Sequence, residues 1–168
     1  MGMTHSNLPK EVSYMKFKPI VRPIKVAEVS DLIALEQLSD GFKPSDFVDD
    51  DDQNYAYGIF DENGKLFGFC SIGGADIGEE DIESYPTYSD DDLILSDMFI
   101  HPDYRHQGYG TELYTTAIQL TNPNEKQNVF ADILYDGNTV KHFYEAGGFV
   151  LVKTSTFNGL MVKPKVGD

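Results

Sequence analysis

One cysteine, Cys70, is all that the 168 residues contain, so no disulfide can form within the chain and a reducing cytoplasm is the default setting. Positive charge is scarce as well. Thirteen Lys and Arg stand against 28 Asp and Glu, a formal net charge of −15 that would repel a phosphate backbone and argues against nucleic acid as a partner. No apolar run approaches the roughly 18 residues of a membrane-spanning helix, and no signal-peptide pattern opens the sequence. Met1-Gly2-Met3-Thr4-His5-Ser6 fits a loose N-myristoylation pattern, but no polybasic second anchor follows it. The reading is therefore of a protein without a membrane partner. No two of His5, His101, His106 and His142 have metal-ligand spacing with each other, with Cys70 or with a carboxylate, and no Gly-x-Ser-x-Gly elbow supports a serine hydrolase.

What is present suits a globular fold. Hydrophobic residues make up 40% of the chain and aromatics 12%, enough to build a core in one domain of this length. Cys70, at the end of Leu66-Phe67-Gly68-Phe69, reads as a small core residue. The pattern divides into an irregular arm at 1–19, a domain at 20–164 and a tail at 165–168. A strand at 20–24 leads to a helix that Ser30 would cap, with Leu32, Leu35 and Leu38 on one face, and a second short helix is expected from Pro44. Strands at 54–60 and 65–72 flank the turn Asp61-Glu62-Asn63-Gly64, and a polar stretch at 73–92 separates them from a strand at 93–100. A helix at 109–120, a strand at 129–135, a helix at 138–146 and a strand pair at 149–156 and 160–163 complete the order. This order specifies an α/β fold, a mixed sheet with helices on both faces.

The most informative stretch joins the strand at 93–100 to the next helix. Arg105, His106, Gln107, Gly108, Tyr109, Gly110 and Thr111 form a glycine-containing turn that opens the helix. Such a turn points backbone N–H groups at one spot, and the helix N-terminus adds about half a positive charge there. Glycines at 108 and 110 remove the Cβ atoms that would hold a phosphate away. The turn reads as a phosphate cradle, with a plain strand-to-helix turn as the alternative. No Gly-Lys-Ser/Thr follows, so it is not a Walker loop, and the third glycine of a dinucleotide fingerprint is missing.

Arg105-x-x-Gly108-x-Gly110, after a strand and the step Ile100-x-Pro102, resembles the acetyl-CoA signature of the GNAT superfamily of N-acetyltransferases. The order of elements over about 20–164 resembles that family too, which implies that the sheet is mainly antiparallel, with six to seven strands. The resemblance implies acetyl-CoA as co-substrate and no metal. It implies that the backbone of Met98, Phe99 and Ile100 pairs with the pantetheine arm and polarises the thioester carbonyl, while 105–111 holds the pyrophosphate.

Acetyl transfer to an amine also needs a proton donor and a proton acceptor. A tyrosine, with a reference pKa near 10, keeps its proton at neutral pH and can give it to a developing thiolate of pKa about 8.5. The segment Phe143-Tyr144, followed by Gly148-Phe149, resembles the family's tyrosine-helix motif and places that acid on Tyr144, which at helical spacing from Val140 also reads as a core aromatic. The family's asparagine seven residues earlier is replaced by Gly137, and Asn138 stands one position late, as a cofactor contact or only a helix cap. For the base, Asp97 lies in the strand expected to pair with pantetheine. Polyamine acetyltransferases of this superfamily carry a Glu-Asp pair there, against Ser96-Asp97 here. Asp97 can accept the proton, orient the amine, or be a satisfied polar residue on a sheet face.

The acidic runs 49–52, 79–83 and 90–92 read as solvated loops, with Tyr85 and Tyr88 between the last two available to stack on a cation. The expected activity is direct transfer from acetyl-CoA to a primary amine of a cationic small molecule, a polyamine or an aminoglycoside-like amine. A protein N-terminus or lysine as acceptor, or a non-catalytic CoA-binding module, are the alternatives. The superfamily commonly forms homodimers, which the resemblance implies here.

Overall fold

Seven strands form one open sheet in the computed structural model, which describes residues 15–48, 56–75, 77–85, 87–134, 139–155 and 158–167. The strands are β1 (Ile20–Pro23), β2 (Ala56–Phe60), β3 (Leu66–Gly74), β4 (Leu93–Ile100), β5 (Val129–Leu134), β6 (Val150–Thr154) and β7 (Asn158–Lys163). Their spatial order is β1-β2-β3-β4-β5-β7-β6, and every pair is antiparallel except β4 with β5. Four helices complete the fold: α1 (Val29–Glu36), α2 (Glu79–Ser84), α3 (Tyr109–Thr121) and α4 (Thr139–Glu145). The mixed, mainly antiparallel α/β sheet expected from the sequence is what forms. Among the described residues, no helix is long and apolar enough to cross a membrane.

Alternation along the strands sorts the helices to two faces. Leu93 and Leu95 of β4, with Val129, Ala131 and Ile133 of β5, meet Leu113, Tyr114, Ala117 and Ile118 of α3 and Tyr144 of α4. Each such side chain taken from water contributes about 1.5–3 kcal/mol. The residues between them, Ile94 and Phe130, point the other way and join Leu160 and Val162 beneath Ile77 and Ile82. On that second face a separate cluster joins Leu32 and Leu35 of α1 to Phe60, Phe69 and Phe99.

Several expectations need adjustment. Helix α1 starts at Val29 with Glu28 in the cap position, so Ser30 lies inside the first turn. The reason is upstream: Arg22 Nη1 donates to Glu28 Oε2 at 2.9 Å, which also accepts the Lys25 N–H at 2.9 Å, and a 3-10 turn at Val26–Glu28 precedes the helix. Pro44–Phe47 is likewise a 3-10 turn and not an α-helix. The polar stretch at 73–92 contains α2, and its Asp92 is buried, accepting from Ser89 N, Asn128 N and Asn128 Nδ2 at 2.8–2.9 Å. That carboxylate ties the loop to the start of β5 and is not solvated surface. Tyr85 and Tyr88 pack against Phe130 at ring distances of 5.6 and 6.0 Å and are not set out to stack on a cation. The acidic run at 49–52 lies outside the described residues, as do residues 1–14 of the arm. The rest of the arm is docked, with Met15 and Phe17 packed on the core under α3.

Candidate active site

The site begins where two strands part. β4 and β5 pair only from Leu93↔Val129 to Leu95↔Ala131. Beyond Leu95, β4 runs on to Ile100 beside β3 while β5 continues beside β7, so the two strands diverge. Along this divergence β4 has no ladder partner on its β5 side among the described residues, and Met98, Phe99 and Ile100 lie on that edge.

At the same level β4 bulges. Phe69 faces Phe99, but Ser71 faces Ser96, so three steps on β4 match two on β3. Asp97 absorbs the extra residue with φ of 53°, a left-handed conformation uncommon outside glycine. The bulge turns Asp97 toward the face that carries α1, where its neighbours are Ser71 and Glu36. Ser71 is buried and shares a 2.8 Å hydrogen bond with the Ser96 hydroxyl. Desolvation by burial raises the Asp97 pKa, the Ser71 hydrogen bond opposes this, and the Glu36 carboxylate adds to the rise. Glu36 is held in place by Ser45, whose N–H and hydroxyl donate to it at 2.6 and 2.9 Å. Ser71, Ser96, Asp97 and Glu36 thus form a polar floor on the same sheet face as the two apolar clusters. Across the divergence Asp132 of β5 also has a raised pKa, from burial first and then from Asp81.

On the opposite face a cleft of about 710 Å³ opens between the N-terminus of α3 and the side of α4. Ile100, Arg105, His106, Gly108, Gly110 and Thr111 line one wall, and Thr139, Val140, His142 and Phe143 the other. Among the described residues no carboxylate lines this cleft, although the chain carries a net charge of −15. The strand-to-helix turn is shaped by two left-handed residues, His106 with φ of 59° and Gly108 with φ of 87°. Gly108 is the N-cap of α3, and a side chain there would be strained. A Cβ on Gly110 would stand 3.0 Å from the Phe143 ring, closing the cleft at its narrow point.

The cradle fits an anionic cofactor on one further observation. Thr111 Oγ1, in the first turn of α3, is buried and has no hydrogen-bond partner among the described residues. A phosphate oxygen is the kind of acceptor that this hydroxyl lacks. Arg105, in the cleft wall, also braces the turn. Its Nε donates to Ile100 O at 2.8 Å and its guanidinium lies 5.2 Å from the Phe99 ring centroid, so it braces the turn against the end of β4. Gln107 similarly folds back, donating to Asp103 O at 3.2 Å.

Tyr144 sits deeper than its neighbour Phe143, with 8% of its surface exposed, among Tyr114, Phe143 and Phe149. Burial pushes its phenol pKa up, so the proton is firmly held. The same cause raises the Cys70 thiol, which is fully buried and inert as a nucleophile. Asn138 lies outside the described residues. Among the described residues, no group of three or more His, Cys, Asp or Glu is placed to hold a metal. Sequence reading did not single out Ser71, Glu36 or Phe143 as site residues. Ser71 left one trace, as the only polar residue in the apolar run 66–72.

Comparison with known proteins agrees with this geometry. No curated protein sequence matches the chain. Its fold is similar to the ribosomal-protein-S18-alanine N-acetyltransferase of Escherichia coli, with TM-score 0.65 and 15% identity over 90% of this chain and 96% of that one. It is also similar to PaiA N-acetyltransferase of Thermoplasma acidophilum in complex with coenzyme A, with TM-score 0.61 and 14% identity over 88% and 99% of the two chains. NAA60 of Arabidopsis thaliana in complex with acetyl-CoA matches with TM-score 0.60 and 14% identity over 86% and 98%. The family model for the acetyltransferase (GNAT) domain matches residues 53–151, which hold the diverging strands, the bulge, the cradle and Tyr144. The chain belongs to the GNAT family of acetyl-CoA-dependent N-acetyltransferases.

Proposed function

We propose that the chain acetylates a primary amine of a cationic small molecule, a polyamine or an aminoglycoside-like amine, by direct transfer in a ternary complex. The observation that carries this reading is Asp97, turned by the β4 bulge onto a polar floor beside Glu36. An amine of pKa near 10.4 arrives as an ammonium ion, and a pair of carboxylates attracts it. The net charge of −15 favours the same class of acceptor.

In this reading the main-chain N–H groups of 105–111 and the Thr111 hydroxyl hold the pyrophosphate. Met98, Phe99 and Ile100 offer their backbone along the open edge of β4, and Asn138 remains a proposed cofactor contact on the family resemblance alone. Acetyl-CoA, when bound, supplies an electrophilic thioester carbonyl and a thiol leaving group. Asp97 accepts the amine's proton, directly or through water, and its raised pKa makes it the stronger base. Tyr144 Oη keeps a proton at neutral pH for the departing sulfur. Burial of Cys70 leaves no thiol to carry an acyl group, which favours direct transfer. A cytoplasmic homodimer belongs to the same reading.

A second acceptor class has one observation in its favour: the Escherichia coli neighbour is named for an alanine of ribosomal protein S18. The test is thiol release from acetyl-CoA with polyamines, aminoglycosides and peptides bearing a free N-terminus. Turnover with the small amines supports the proposal. Turnover with the peptides alone overturns it in favour of a protein acceptor, and release with none leaves a cofactor-binding module.

A further inference from the structure

The cradle is held from behind by a segment that lies outside both the sheet and the helices. Tyr104 and Tyr109 stand on either side of the turn at 105–108, with ring centroids 6.3 Å apart. Two phenylalanines grip them. Phe67 of β3 stacks on Tyr104 at 4.2 Å and meets Tyr109 edge-on at 5.1 Å. Phe17, from the segment before β1, stacks on Tyr109 at 5.0 Å and meets Tyr104 edge-on at 6.3 Å. The two phenylalanines also contact each other at 5.8 Å. In addition, Lys16 N–H donates to Tyr109 Oη at 3.1 Å.

Tyr109 lies between Gly108 and Gly110, has 1% of its surface exposed, and is not part of the cleft lining. Its side chain therefore acts on the turn from the far side. The turn needs such support, because His106, which is not a glycine, is held in a left-handed backbone conformation. Aromatic pairs in these geometries are stabilising beyond their buried area, so losing Phe17 loosens both ends of the turn at once.

We propose that residues 15–19 are a working part of the acetyl-CoA site, and that Phe17 is a positioning residue that holds the glycine turn in its binding-competent shape through Tyr104 and Tyr109. This rests on the cradle's reading as the acetyl-CoA pyrophosphate site. Affinity falls by the fraction of time a site is competent. Freeing the turn should therefore weaken the donor without touching the acceptor side.

The test compares the full chain with Phe17→Ala, Tyr109→Phe and Val162→Ala, the last a buried residue on the opposite sheet face. Calorimetric titration with acetyl-CoA, steady-state KM for each substrate, and amide exchange at 106–110 are read for each. Phe17→Ala is expected to raise the acetyl-CoA Kd and KM about three- to tenfold and to speed exchange in the turn, with kcat and the amine KM unchanged. Tyr109→Phe keeps the ring and loses only the Lys16 hydrogen bond, so it should fold and show a smaller shift in the same direction. Val162→Ala should lower thermal stability and leave the Kd as it was. An unchanged Kd in Phe17→Ala, or an equal loss in Val162→Ala, would overturn the proposal while leaving the acetyl-CoA reading intact. No binding by the parent chain would overturn both.

Discussion

Tyr114 Oη donates to the carbonyl oxygen of Phe143 at 2.7 Å, joining the middle of α3 to the end of α4. The bond matters because those two helices carry opposite walls of the cleft proposed to take acetyl-CoA, and Phe143 is part of one of them. The tyrosine fits only because residue 147 has no side chain: a Cβ there would clash with its ring.

Gly147→Ala should therefore move α4 or Tyr114. A ring bonded at its far end cannot yield freely, so the expected loss is about 1–3 kcal/mol of stability, as for other overpacked cores. Chemical denaturation measures that, and acetyl-CoA titration should show weaker binding as the wall shifts. Binding and stability both equal to the parent's would mean that the two helices are not coupled through this contact.

Thr111→Val separates binding from folding in the opposite sense. The buried hydroxyl lacks a partner, and an unsatisfied group of this kind costs about 1–3 kcal/mol. Replacing it with a methyl of similar shape should raise the thermal midpoint of the cofactor-free protein and weaken acetyl-CoA binding. A destabilised variant with unchanged affinity would remove Thr111 from the cradle.

Asp97→Asn is expected to lower kcat by about 10²–10⁴-fold while keeping the protein as stable as before or more so at neutral pH. The sign follows from linkage. The folded-state pKa of Asp97 is raised by burial, so the folded state binds more protons than the unfolded one between the two pKa values. Stability from this group is present below the unfolded pKa and is lost as pH rises through the folded pKa. The neutral amide escapes that loss. The hydrogen bond from Ser71 works against the rise, so Ser71→Ala should move the acidic limb of the kcat/KM profile to higher pH. A profile that stays in place would show that another group is the base.

Tyr144→Phe should reduce the rate at least about tenfold, within the range usual for general acid catalysis, with little change in fold. The ring is buried among aromatic neighbours and phenylalanine preserves that packing. An unchanged rate would leave Tyr144 as a core residue only.

The glycine turn that opens α3 was legible in the sequence because its determinants are local. Gly108, Gly110 and the apolar positions of α3 act within one turn and the helix it opens, and their spacing survives without knowledge of the rest of the chain. Fold class followed in the same way, from the order of short apolar runs and helical patterns along the chain. Small errors came where a distant partner intervened. Arg22 set the start of α1 by pairing with Glu28, and Asn128 drew Asp92 into the interior.

The acceptor side and the support of the cradle depend on tertiary structure. No local signal marks Leu95 as the last residue of β4 to pair with β5, since that register is set between segments more than thirty residues apart. The bulge at Asp97 exists only against Ser71 of β3, and Phe17 finds Tyr109 across 92 positions of sequence. Short-range preference could thus specify a turn able to hold a phosphate. The meeting of distant strands and of a docked N-terminal segment decided where Asp97 faces and how firmly that turn is held.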